Sequence, residues 1–404
     1  MTVKAVDTEP IYYDPYDYGI DTDPHPVWRR MREEQPLYWN ERYGFWALSR
    51  FEDVWSAYHD TATFSSSHGV QLEQLDNPVD YQMMIFMDPP EHDSLRKIVS
   101  RAFTPRRMAA LEDSIGALVA EYLDPFTGTA GFDYIAEFGA LLPPMVIGEL
   151  LGVPSADRDA IRLLVDEMLH IEEGATGPGE KAATAGAEIY QYYAAAVAER
   201  RTAPRDDLIS ALLEAELDDD ETRRKLTEEE IMAFVMLLNG AGVETVARLL
   251  SWAAVTLARN PRQREELVGD PSLMPGAIEE LLRYEAPSPV NGRWVTRPVT
   301  LHGVTIAAGS KMLLLNGSAN RDGREFADPD RFDVRRTMAR HISFGFGAHF
   351  CLGAALARLE GRIALAGTLA RFPRWEIDEE ELVMVRTSTV RGFSSVPVHL
   401  TDKT

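Results

Sequence analysis

One stretch, Thr227–Arg259, constrains this chain more than any other. Apolar residues recur through it at three- and four-residue spacing, a period that an α-helix places on one face. Thr227 followed three residues later by Glu230 has the spacing of a capping box, so the start is marked as well as the body. The same period returns in Leu111–Tyr122, Ala156–Ile171, Lys181–Arg201, Asp207–Leu217, Pro275–Tyr284 and Leu352–Phe372. Strand signals sit in two places. One is Pro36–Ser49, about a turn at Glu41–Gly44; the other is the C-terminal third, in "RWVTRPVTLHGVTIAAGSKMLLL" and "LVMVRTSTVRGFSSVPVHL". No repeat or Gly/Ser linker divides the chain. The expectation is one domain over residues 1–404, mainly α with small β-sheets, an α+β architecture.

Composition excludes several classes of function. A single cysteine, Cys351, rules out a disulfide framework and any zinc site needing two cysteines. A net charge of −23, from 41 Lys and Arg against 64 Asp and Glu, opposes binding to nucleic acid. The N-terminus lacks the basic and apolar regions of a signal peptide. No apolar run reaches the ~20 residues of a membrane span, Gly139–Val153 coming closest. These features lead us to expect a soluble, cytoplasmic protein with no membrane anchor. The acidic block Glu216–Glu230 reads as a solvated inter-helix loop. Ser94–Leu111, by contrast, carries Arg96, Lys97, Arg101, Arg106 and Arg107 with no acid, a basic island that needs a partner.

Cys351 lies within "FGFGAHFCLGAALARLE", Phe344–Glu360. Gly345 and Gly347 permit backbone bends and the close approach of a flat partner. The helical pattern starts at Leu352, so the sulfur is expected near a helix N-terminus, where unpaired N–H groups favour a thiolate. Gly353 lets the first turn lie close to whatever the sulfur holds. A dinucleotide G-x-G-x-x-G would need glycine where Phe350 stands, and a nucleophilic cysteine would need a base, for which only His349 is near in sequence. A thiolate beside a planar cofactor fits best, which means haem.

The motif Phe344-Gly345-x-Gly347-x-His349-x-Cys351-x-Gly353 closely resembles the haem-binding loop of the cytochrome P-450 monooxygenases. The likeness runs from "WALSRFEDV" through "MDPPEHDSLRKIVSRAFTP" to the C-terminus. It implies the P-450 fold, with haem b held between the long central helix and the cysteine loop and Cys351 as axial thiolate. The implied reaction is RH + O2 + two electrons + two protons giving ROH + water. No reductase or flavin-binding region is fused, so a separate ferredoxin and ferredoxin reductase are implied as electron donors.

Other motifs extend the resemblance. In "GAGVETV", Gly240 and Gly242 each weaken a helix by about 1 kcal/mol, for which close helix packing is the ordinary reason. Thr245 can bond back to the carbonyl of Ala241 and so bend or open the helix. Glu244 and Thr245 resemble the family's acid–alcohol pair, which delivers protons on the distal side of the haem. Glu280, Arg283 and Arg331 look like its buried structural triad. His92, Arg96, Arg293 and His349 match its propionate contacts, Phe344 and Gly353 match loop positions against the cofactor, and His341 sits in a similar place.

Leu237, Gly240, Ala241, Val290 and Val390 correspond to substrate-facing positions. Ser65–Phe86 corresponds to the variable lid, with Met83, Met84 and Phe86 as contacts. Hydroxylation of an apolar small molecule (a lipid, steroid, terpenoid or secondary metabolite) is the implied default. The basic island Lys97, Arg101, Arg106 and Arg107, joined by Arg335, Arg336 and Arg358, is the expected docking face for an acidic ferredoxin. A peroxide-driven haem-thiolate enzyme typically replaces the acid–alcohol pair, and a haem sensor or carrier has no need of it.

Overall fold

The capping box anticipated at Thr227 forms. Its Oγ1 accepts the Glu230 N–H at 3.1 Å, and the Glu230 carboxylate accepts the Thr227 N–H at 2.8 Å. From this cap one unbroken helix runs over Glu228–Arg259 in the computed structural model, which describes residues 9–78, 82–103, 105–169, 179–219, 222–385 and 390–401. This helix is the axis of the principal core. Phe234, Val243, Leu250 and Val255 are buried along it, together with Phe138, Ile147, Tyr193, Leu281 and Leu365 from its neighbours. Each Val, Leu, Ile or Phe side chain among them, removed from water, contributes about 1.5–3 kcal/mol.

Two glycines set how closely neighbours approach. A Cβ on Gly361, in the helix Ala354–Arg371, would lie 3.1 Å from Leu249 Cδ2. One on Gly242 would lie 3.0 Å from Ile147 Cδ1, in the helix Leu142–Leu150. Gly242 is thus a packing glycine.

The strands form small sheets beside this helical body. The largest runs Leu37–Asn40, Phe45–Leu48, Lys311–Leu314, Asn291–Val295, Phe64–Ser65 in spatial order. Only the Phe45–Leu48 and Lys311–Leu314 pair is parallel. Its two faces separate two lesser cores, one around Phe51, Tyr58 and Met312, the other around Tyr13, Trp28 and Val290. The architecture is mainly α with small sheets, as expected.

Three expectations are corrected. The Asp207–Leu217 pattern is a helix only over Leu208–Glu214. The acidic block after it is no plain loop: Glu216–Asp219 pairs antiparallel with Thr222–Lys225, setting Glu216 opposite Lys225, with Nζ 3.8 Å from Oε1. Opposite charges across a ladder favour that pairing. Finally, the stretch nearest to membrane-spanning composition is Glu228–Arg259 rather than Gly139–Val153, and it is mostly buried within the protein.

Candidate functional site

Cys351 sits between Phe344 and the helix Ala354–Arg371, in a loop whose shape depends on glycine. Gly345 and Gly347 have φ of 65° and 66°, and a Cβ on Gly347 would stand 2.8 Å from the Tyr58 carbonyl oxygen. The loop closes through the Cys351 N–H, which donates to the Phe344 carbonyl at 2.9 Å. The Phe344 ring packs on Phe350 and lies under the Arg358 guanidinium, 4.5 Å from its centroid.

The expected acidified thiol is a correction. Burial pushes Cys351 up from its ordinary pKa and outweighs the Gly353 N–H bond and the charges of Arg96 and Arg358, which pull it down. The reason is geometric: the helix starts at Ala354, not Leu352, so the sulfur lies outside its first turn. A thiolate here therefore calls for a cation bound at the sulfur, which is what a metal supplies.

Basic side chains from three elements converge beside the loop. His92 and Arg96 come from the helix Glu91–Ala102, Arg293 from the strand Asn291–Val295, and His349 from the loop itself. The His92 and His349 rings are 4.2 Å apart. His349 is pushed down to about 2, first by burial and then by the charges of Arg293, His92 and Arg96. Its Nε2 is buried without a hydrogen-bond partner among the described residues.

Arg293 is 3% exposed, donates to the Gly292 carbonyl at 2.7 Å and lies 5.2 Å from the Tyr58 ring centroid. No carboxylate comes within ion-pair range of it among the described residues. A buried guanidinium of this kind calls for an anion. The set fits the two carboxylates of a haem, with Cys351 at its metal. Arg96 donates to the Phe350 carbonyl, and His341 pairs with Glu279 at 3.0 Å.

The central helix is buried over Ile231–Val235 and Val246–Leu257, but burial is interrupted between Met236 and Thr245, where Ala241 is exposed. A Cβ on Gly240 would meet nothing within 4 Å, so packing does not explain this glycine. Thr245 Oγ1 donates to the Ala241 carbonyl at 3.1 Å, the expected back-bond, yet the helix is not opened by it. Glu244, the residue before Thr245, is partly accessible.

Other assignments change. Glu280, fully buried, accepts Arg283 Nε at 2.7 Å and Nη2 at 2.9 Å. Its second arginine is Arg336, with Nε at 3.1 Å, and not Arg331. The Arg331 side chain is 66% exposed on Asp333, and only its carbonyl reaches Arg283. Nothing in the local sequence distinguishes the two arginines.

Val290, which precedes the strand Asn291–Val295, belongs to the Tyr13 and Trp28 core, whereas Arg293 within that strand lies against Tyr58, and Val390 lines a small cleft beside Val290. Met84 is buried in the principal core with Leu95 and Ile98, while Phe86 and Leu237 are partly exposed. Residues 79–81 of the lid segment lie outside the described residues.

The basic island is also smaller than expected. Lys97 and Arg101 are exposed, but Arg107 pairs with Asp206 at 3.5 Å, Arg335 with Glu266 and Arg358 with Glu279. The Arg106 side chain lies outside the described residues. Arg248, which the sequence reading passed over, lies beside Glu244 with Nε 3.5 Å from Oε2. Their spacing of four was the only signal.

Comparison with known proteins agrees with this geometry. The family model described as Cytochrome P450 matches residues 178–399. Putative cytochrome P450 123 of Mycobacterium tuberculosis is 44% identical over 98% of this chain and 99% of its own length. Among solved structures, cytochrome P450 CYP109Q5 from Chondromyces apiculatus superimposes with a TM-score of 0.88 at 33% identity, covering 97% of this chain and 98% of that one. CYP109E1 from Bacillus megaterium, in complex with corticosterone, gives 0.85 at 32% identity over 95% and 99%.

Proposed function

The chain belongs to the cytochrome P450 family, whose members are haem-thiolate monooxygenases, and from that premise we propose that it hydroxylates a steroid-sized apolar molecule, as a single domain over residues 1–404, with electrons from a separate ferredoxin and its reductase. The observation that carries this reading is the interrupted burial of the central helix. Small residues at Gly240 and Ala241 leave room on its open face, next to Glu244 and Thr245. The corticosterone bound by CYP109E1 supports the size class.

When bound, the haem supplies oxygen activation: one atom of O2 enters RH as ROH and the other leaves as water, with two electrons and two protons consumed. Cys351 would hold the metal as thiolate, with the Gly353 N–H beside its sulfur and its own N–H on the Phe344 carbonyl. Arg293, His92, Arg96 and His349 would neutralise and orient the haem carboxylates. The Thr245 hydroxyl donates to the Ala241 carbonyl, which leaves its oxygen free to accept a hydrogen bond on the open face. Rotation of that hydroxyl redirects the O–H into the site. Glu244, beside it and partly accessible, takes protons from solvent and passes them on. This pair favours monooxygenation over a peroxide-driven enzyme or a haem sensor.

The test is a screen of apolar ligands for the spin-state shift of the Soret band, followed by turnover with a surrogate ferredoxin system. A bound ligand that yields an oxygenated product is expected. Turnover with peroxide alone and none with the ferredoxin system would refute the reading. Cys351→Ala should lose the absorption band of the reduced carbon monoxide complex.

A further inference from the structure

A carboxylate that passes protons has to be held at the open face of its helix. Glu244 lies one turn before Arg248, a guanidinium 5% exposed. Arg248 Nε stands 3.5 Å from Glu244 Oε2, inside ion-pair range, yet it is buried and has no hydrogen-bond partner among the described residues. A small rotation of the Glu244 side chain either closes that bond or turns the carboxylate away from it.

The other end of the guanidinium is engaged, since Nη1 donates to the Phe393 carbonyl in the strand Phe393–Ser395. That strand is fastened to the helix itself. The Phe393 N–H donates to Ser251 Oγ at 3.0 Å, and a Cβ on Gly392 would lie 3.0 Å from the Arg248 Cβ.

The charges facing Glu244 come from two helices. Arg248 is on its own helix, and Asp166 and Arg162 are on Ser155–Leu169, joined to each other at 2.8 Å. Burial and the Glu244 charge both push Asp166 up, which places the two carboxylates in one electrostatic cluster. Arg248 is a buried cation pulled down by burial and supported by the charges of Glu244 and Asp166. Burial at such a junction is costly unless the pairing is used.

We propose that Arg248 is the positioning residue for Glu244, and that through the Phe393 carbonyl it ties the place of that carboxylate to the C-terminal strand. The inference rests on the reading of Glu244 as the proton-delivering acid. In the resting arrangement the guanidinium holds the carboxylate near the open face. Displacement of the strand shifts Nη1 and with it the position available to Glu244.

The experiment compares wild type, R248Q, R248K, E244Q and E244Q/R248Q with a surrogate ferredoxin system. Product formed per NADPH consumed, the solvent isotope effect on turnover, and the ligand-induced spin shift are measured together. R248Q is expected to lose roughly tenfold in coupled product and to show a larger isotope effect, with the spin-shift affinity unchanged. R248K keeps the charge and should retain at least about half of the coupling.

In the E244Q background the same R248Q change should cost less than about twofold, because its effect acts through Glu244. Amide exchange at Phe393–Ser395 should quicken in R248Q. If R248Q does not fold, the cycle of R248K with E244Q replaces it, with R248K's smaller loss expected to vanish in E244Q. Equal losses in both backgrounds, or R248K as poor as R248Q, would overturn the inference alone. E244Q turning over like wild type would instead refute the acid role of Glu244, and this inference with it.

Discussion

Replacing Arg336 by alanine should destabilise the protein far more than replacing Arg331. Glu280 is fully buried and its carboxylate is satisfied by Arg283 Nε and Nη2, by Arg336 Nε at 3.1 Å and by the Asp333 N–H at 2.9 Å. Arg336→Ala removes one of these charge-assisted bonds, worth about 1.5–3 kcal/mol. It also frees the carbonyls of Ala327, Asp328 and Arg331 that the same guanidinium holds. Arg331→Ala loses only an exposed pair with Asp333, a contact of the kind worth about 0–1 kcal/mol. Arg283→Ala sets the upper bound, because Glu280 would be left in the interior without its main partner, a loss of about 3–5 kcal/mol. Urea denaturation of the haem-loaded proteins, followed by the Soret band, ranks the three. The expected order of loss is Arg283, Arg336, Arg331. An Arg331→Ala protein as unstable as Arg336→Ala would refute the assignment of the triad.

Thr245→Ala should keep its haem and its ligand spin shift but divert electrons, so that hydrogen peroxide rises and product per NADPH falls; coupling equal to wild type removes the hydroxyl from proton delivery. Lys97→Glu with Arg101→Glu should raise the apparent KM for a surrogate acidic ferredoxin and leave the spin shift alone, and salt should weaken the wild-type interaction as the Debye length falls below ~8 Å. No change in ferredoxin dependence would move the docking face elsewhere. Acid should act through Glu279: burial alone would raise its pKa, but the bonds from Arg358 and His341 prevail and hold it down at about 2 against an ordinary 4.5. A depressed folded-state pKa means stability that is full above about 4.5 and drains as pH falls toward about 2, so Glu279→Gln should flatten that limb of the unfolding profile. An unchanged limb would show that the pair carries no linkage.

Much of the site was legible because its signals are local. The period of Thr227–Arg259, the capping pair at its start and the glycines about Cys351 each depend on residues a few positions apart. His92 and Arg96 share a helix face by their spacing alone, and Thr245 reaches Ala241 for the same reason. Backbone geometry dictates such relations before any tertiary contact forms.

What tertiary structure decided was every relation across distance. Arg331 and Arg336 are equivalent by type and near in sequence, and only the path of the chain past Glu280 selects Arg336. Trp294 and Arg293 part company because a strand sends alternate side chains to opposite faces, one to the Trp28 core and the other to Tyr58, and Val290, just before the strand, joins the Trp28 core. The thiol of Cys351 is raised rather than lowered because burial, a property of the whole fold, outweighs the few nearby dipoles that a local reading can see.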